Sequence, residues 1–129
     1  MRIKRQNKFR SIVRGLVEHG DGSASHDYEI PTANLRLEER PDVDFGVYAV
    51  RVSFRSRTYH GALCYGVGTP PKFEVHLLDF EGDLLGEELE VEILNQVSEL
   101  VDFGSKERMR QKILHDIELV QDFFRQLSE

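Results

Sequence analysis

Glu74 is a carboxylate whose setting would suit chemistry. It lies in the run Phe73-Glu74-Val75-His76-Leu77, where Phe73, Val75 and Leu77 share one face and Glu74 and His76 the other. Period-two alternation marks a half-buried strand, so Glu74 rides a rigid element on the face turned from the core. That is where a working carboxylate would be placed. On pattern alone the commoner meaning is a solvated surface Glu.

Other arrangements fail on inspection. Gly66-Val67-Gly68 has no following Gly-Lys-Ser/Thr and opens no helix, so it is no phosphate loop. Asp79, Glu81 and Asp83 imitate a calcium loop, but the sixth position needs Gly and holds Leu84. The five His show neither an i, i+4 pair nor His-Glu-x-x-His, and Ser and Cys nucleophile motifs are missing.

The elements that position Glu74 come next. Residues 73–79 and the alternating Leu89, Val91 and Ile93 are joined by an acidic turn carrying Gly82 and Gly86. The pattern predicts a β-hairpin, with Glu88, Glu90 and Glu92 as its solvated face. Residues 1–8 are polar and expected to be flexible. A first strand is expected over 9–17, with Phe9, Val13 and Val17 on one side and Ile12 and Leu16 on the other. The turn formers of 19–23 end it, and 23–30 reads as a loop. A short strand is expected over 35–37, and 38–44 as an exposed connection. Residues 46–54 give the next strand, with Val47 and Ala49 opposed to Tyr48, Val50 and Val52. A turn at 55–57 returns the chain as a strand over 58–65, and Pro70 and Pro71 close that segment. The count is roughly six antiparallel strands, at the spacing of a sandwich or small barrel.

The tail changes period. Met109, Ile113, Ile117, Val120, Phe124 and Leu127 recur at steps of three and four, one stripe of a helix over 105–128. Ser105 supplies the N-cap, and Glu107 suits the first turn. The stripe must be buried, and the barrel is its one available partner.

With 129 residues the chain reads as one domain, 1–129, large enough for a proper core. A net charge of −6 argues against a nucleic-acid partner, whose phosphates need a basic surface. No apolar run is long enough for a membrane span. The single Cys64 allows no internal disulfide, which fits a reducing cytoplasm.

Three segments resemble the riboflavin kinase (flavokinase) family. They are Val13-Arg14-Gly15-Leu16-Val17-Glu18-His19-Gly20-Asp21-Gly22 leading to Pro31-Thr32-Ala33-Asn34-Leu35, then Phe45-Gly46-Val47-Tyr48-Ala49-Val50-Arg51-Val52, then 74–87. The tail, through Gln111-Lys112-Ile113 and His115-Asp116-Ile117, is similar to the family's closing helix. The resemblance implies a six-stranded antiparallel Greek-key β-barrel with a C-terminal helix. It implies transfer of the γ-phosphoryl of ATP to the 5′-hydroxyl of riboflavin, yielding FMN and ADP with Mg²⁺ or another divalent metal. Glu74 falls on the family's catalytic base. Thr32 and Asn34 fall on the Pro-Thr-Ala-Asn residues at metal and phosphates, and Gly20 and Gly22 on the nucleotide loop. The implied partners are small molecules, met by a monomer in the cytoplasm. The nucleotidyltransferase half found in bacterial relatives is not matched, so FAD synthesis is not implied.

The chain also departs from the family pattern. The basic glycine loop becomes 22–30, with Asp27 and Glu29 and no arginine. An Asn is replaced by Cys64, and the Arg of an L-R-x-E segment by Ser98. A second reading follows from the loop: a kinase-derived flavin- or nucleotide-binding module with impaired catalysis.

Overall fold

The computed structural model describes residues 11–19, 32–101 and 104–128. Phe9, Gly20, Gly22 and the loop over 23–30 lie outside these residues. Six strands and one helix follow in order: β1 (Ser11–Glu18), β2 (Ala33–Leu37), β3 (Gly46–Phe54), β4 (Arg57–Tyr65), β5 (Phe73–Leu77), β6 (Glu88–Ser98) and α1 (Lys106–Gln126). β2 begins two residues before the expected 35, so Asn34 is a strand residue.

All pairings are antiparallel, and the strands close in the order β1-β2-β5-β4-β3-β6, with β6 returning to β1. Strands β3, β4 and β5 follow one another as a meander, and β6 crosses back to lie beside β3. This is the Greek-key arrangement. Alternate side chains fill the interior: Val17, Leu35, Tyr48, Val50, Val52, Leu63, Val75, Leu89, Val91 and Ile93 form one buried cluster. Closure leaves no open sheet edge.

The expected hairpin over 73–93 is not formed. β5 pairs with β2 and β4, whereas β6 pairs with β3 and β1. The chain between them crosses the barrel end, where Leu84 is buried in the core cluster. Backbone bonds tie this crossing to β1: Gly86 N donates to Val17 O at 2.9 Å, and Val17 N to Glu87 O at 2.9 Å. Alternation reports that each strand has one buried face and is blind to its neighbour. On the acidic face of β6, Glu88 is exposed as expected, whereas Glu90 and Glu92 are partly covered by ion pairs. Glu90 accepts from Arg14 at 2.7 Å and Glu92 from Arg51 at 3.3 Å, each across a direct strand pairing.

The β3–β4 hairpin turns on Arg55 and Ser56, at φ 51° and 67°. Two consecutive left-handed residues match the twist of a two-residue hairpin.

Helix α1 packs on the outside of the barrel. Ala49 and Ala62, direct partners on β3 and β4, are small and form one buried cluster with Val120 and Phe124. His60 stacks on Phe124 with ring centroids 3.7 Å apart. The stripe holds as far as Phe124, while Leu127 is 47% exposed because the helix ends at Gln126. At the other end Ser105 Oγ accepts from Arg108 N at 3.2 Å. Ser105→Ala is expected to cost about 1 kcal/mol, read as a lower urea midpoint with unchanged slope. Among the described residues no helix is long and apolar enough to cross a membrane.

Candidate functional site

Barrel closure places Glu74 in a row of outward residues. Asn34 on β2 and Cys64 on β4 are its direct Cα partners on either side. The row continues from Cys64 to Val47 and then to Ser98 on β6. Directly opposed residues on neighbouring strands lie about 5 Å apart with side chains on the same face. The amide of Asn34 and the carboxylate of Glu74 therefore stand side by side, both half-buried.

Two positions along β5 comes His76, buried at 6% exposure. Its Nδ1 shares a hydrogen bond of 3.0 Å with Thr32 Oγ1. Thr32 directly precedes β2 and is two residues before Asn34, so hydroxyl and amide fall on one wall with His76 and Glu74. Beyond His76 an open cavity of about 650 Å³ is lined by His76, the 77–81 segment and Ile117 of α1.

Thr32, Asn34 and Glu74 are thus brought together. Gly20 and Gly22 are outside the described residues. Among those residues, no group of three or more His, Cys, Asp or Glu is arranged to hold a metal ion. Thr32 and Asn34 offer neutral oxygen donors beside a carboxylate. That donor chemistry fits Mg²⁺, which keeps several waters and takes few protein ligands beside substrate phosphates.

Sequence reasoning missed the polar cluster beneath α1. Lys112 Nζ donates to Ser98 Oγ at 2.6 Å and to Asp116 Oδ2 at 2.5 Å. Asp116 is 5% exposed. The available signal is its phase, since Asp116 falls three residues after Ile113 and four before Val120, inside the apolar stripe. A charge at such a position needs a partner, and Lys112 is one turn away.

Cys64 stands between this cluster and Glu74. Burial, chiefly, pushes its thiol up to about 12, with the charges of Glu74 and Asp116 adding and Lys112 opposing. A thiol so held is a poor nucleophile near neutral pH. At pH 8 its thiolate population is about a thousandth of that of a thiol at 9.0, the ordinary value. Iodoacetamide is therefore expected to label the folded protein far more slowly than the same chain in guanidinium. Equal rates would show that Cys64 is open to solvent.

The comparisons with known proteins agree with this architecture. The sequence model of the riboflavin kinase (flavokinase) family matches residues 7–124. The bifunctional riboflavin kinase/FMN adenylyltransferase of Haemophilus influenzae is 32% identical over 118 residues, covering 87% of this chain and 38% of that protein. Its counterpart in Buchnera aphidicola subsp. Schizaphis graminum is 31% identical over 122 residues, with the same coverage. The chain thus spans about two fifths of the length of these curated relatives. Among solved structures, riboflavin kinase from Trypanosoma brucei superimposes with a TM-score of 0.62 over 90% of this chain and 80% of that one. At 21% identity this likeness speaks for the fold. A Streptococcus pneumoniae chain solved as a macrolide-efflux protein gives a TM-score of 0.75 at 30% identity, over 85% of this chain and 38% of that one. A family match over nearly the whole chain and a closed six-stranded barrel capped by one helix lead to a single assignment: the chain belongs to the riboflavin kinase family.

Proposed function

We propose that this domain, acting as a monomer in the cytoplasm, transfers the γ-phosphoryl of ATP to the 5′-hydroxyl of riboflavin, yielding FMN and ADP. The observation that carries the reading is the pairing of Asn34 with Glu74 on one outward wall, with Thr32 bonded to His76 beside them. Phosphoryl transfer asks a protein mainly for positioning and charge neutralisation, with a group to receive the hydroxyl proton. Glu74 is that group. As the oxygen attacks phosphorus, its proton passes to the Glu74 carboxylate, which stands on a strand held from both sides.

Thr32 and Asn34 would hold the divalent metal, which when bound supplies positive charge to the phosphate oxygens. Gly20 and Gly22 are assigned to the nucleotide phosphates through their backbone N–H groups. The cavity beyond His76 is the place for the flavin ring. Its volume lies in the range of small-molecule pockets, and Leu77, Leu78, Phe80 and Ile117 give it apolar walls. The ring there and the reactive hydroxyl at Glu74 lie along one strand.

The test is incubation with riboflavin, ATP and Mg²⁺, followed by chromatography for FMN. FMN formation that stops with EDTA supports the proposal. No FMN with any divalent metal overturns it. Riboflavin or nucleotide binding without turnover marks the second reading, a binding module derived from the kinase.

A further inference from the structure

Helix α1 is seated on the barrel wall at two points. Toward its C-terminal end Phe124 stacks on His60, the planes 2° from parallel. Toward its N-terminal end Lys112 bridges Asp116, one turn along the helix, to Ser98 on β6. This bridge is withdrawn from water, the Lys112 and Asp116 side chains being 13% and 7% exposed. Between the two seats comes Ile117, the residue that α1 contributes to the cavity.

As a stabiliser the bridge is poor. Asp116 Oδ1 is buried with no hydrogen-bond partner among the described residues. A buried ion pair left half-satisfied is commonly no better for stability than an apolar pair of similar volume. Val120 and Phe124 already give the helix its apolar contact. The Asp116 contact lies within the helix and holds the Lys112 side chain in place. What adds direction is the bond from that held ammonium to Ser98, the polar contact of the pair that reaches β6. Ile117 directly follows Asp116, so the rotation of the helix decides where its side chain stands relative to His76 and the 77–81 segment.

We propose that Lys112 is a positioning residue for the cavity: its bridge from Asp116 to Ser98 sets the rotation of α1 that holds Ile117 against the 76–81 wall. The identity of the ligand as riboflavin rests on the kinase reading; the seat of the helix does not.

Lys112→Met alone strands a buried carboxylate, so the informative variant is Lys112→Met/Asp116→Leu, with Lys112→Arg as the conservative partner. Flavin-fluorescence quenching follows riboflavin binding, and steady-state kinetics give KM for each substrate. The folded double variant is expected to raise the riboflavin KM about tenfold, to leave the ATP KM within about twofold, and Lys112→Arg to recover most of the loss. Wild-type riboflavin affinity in the double variant overturns the proposal, as does an equal rise in both KM values. If the wild-type protein neither binds nor phosphorylates riboflavin, the kinase reading is what fails, and amide hydrogen exchange decides the bridge. Faster exchange at 113–117 than at 120–126 in the double variant supports it; unchanged exchange overturns it.

Discussion

Glu74→Gln is expected to slow FMN formation by roughly 10²- to 10⁴-fold, the usual contribution of a positioned general base. Gln has the shape of Glu, and the strand that carries it is paired on both sides, through Asn34 and Cys64. The barrel should therefore stand unchanged, and riboflavin quenching should persist. What the amide cannot do is accept the proton of the attacking hydroxyl. The loss should fall on kcat, with KM for both substrates little altered, because the missing interaction develops only in the transition state. A variant that makes FMN at the wild-type rate would remove Glu74 from the chemistry, whatever the fate of the kinase reading as a whole.

Phe124→Ala should be the most destabilising single truncation on the helix, costing about 3–5 kcal/mol. Phe124 is 2% exposed. Its ring is stacked on His60 at 3.7 Å and set edge-on to Phe123 at 5.3 Å. Its removal opens a cavity between helix and barrel that the rigid β3–β4 wall cannot fill. Leu127→Ala is the control, since that side chain faces solvent and should move stability by less than about 0.5 kcal/mol. Urea midpoints for the two variants check the contrast. If they coincide, the helix is not anchored where the packing places it. The same truncation should weaken riboflavin, because Ile117 and the bridge at Lys112 travel with the helix.

The local elements of this chain were largely legible. Period two at Phe73, Val75 and Leu77 marked the inward face, because a strand with one wet face must alternate. Over 46–54 it set Val47 and Ala49 against Tyr48, Val50 and Val52 without choosing between them, since both sides are buried there. The stripe from Met109 to Phe124 gave the helix, and Ser105 its start. Resemblance, rather than periodicity, singled out Thr32, Asn34 and Glu74, since nothing in alternation separates one outward Glu from another. Asp116 was passed over because a three-four stripe is counted from its apolar members, and one charge inside it is easily read as noise.

By itself, then, the sequence determined where the strands alternate, which side chains of 73–77 and 89–93 turn inward, where the helix begins, and that Glu74 faces out from a rigid strand. These follow from forces acting within a few residues: alternation across a pleat, capping and helical phase. Tertiary structure alone decided who stands beside whom. The run 73–93 reads as one hairpin, yet closure of the barrel sends β5 to β2 and β4 and sends β6 to β3 and β1. That choice sets Asn34 next to Glu74. The seating of α1 outside the wall then makes Lys112, Asp116 and Ser98 one cluster. Neighbours of this kind are fixed by the need to satisfy every sheet edge and cover every apolar face at once. No window of adjacent residues contains that condition.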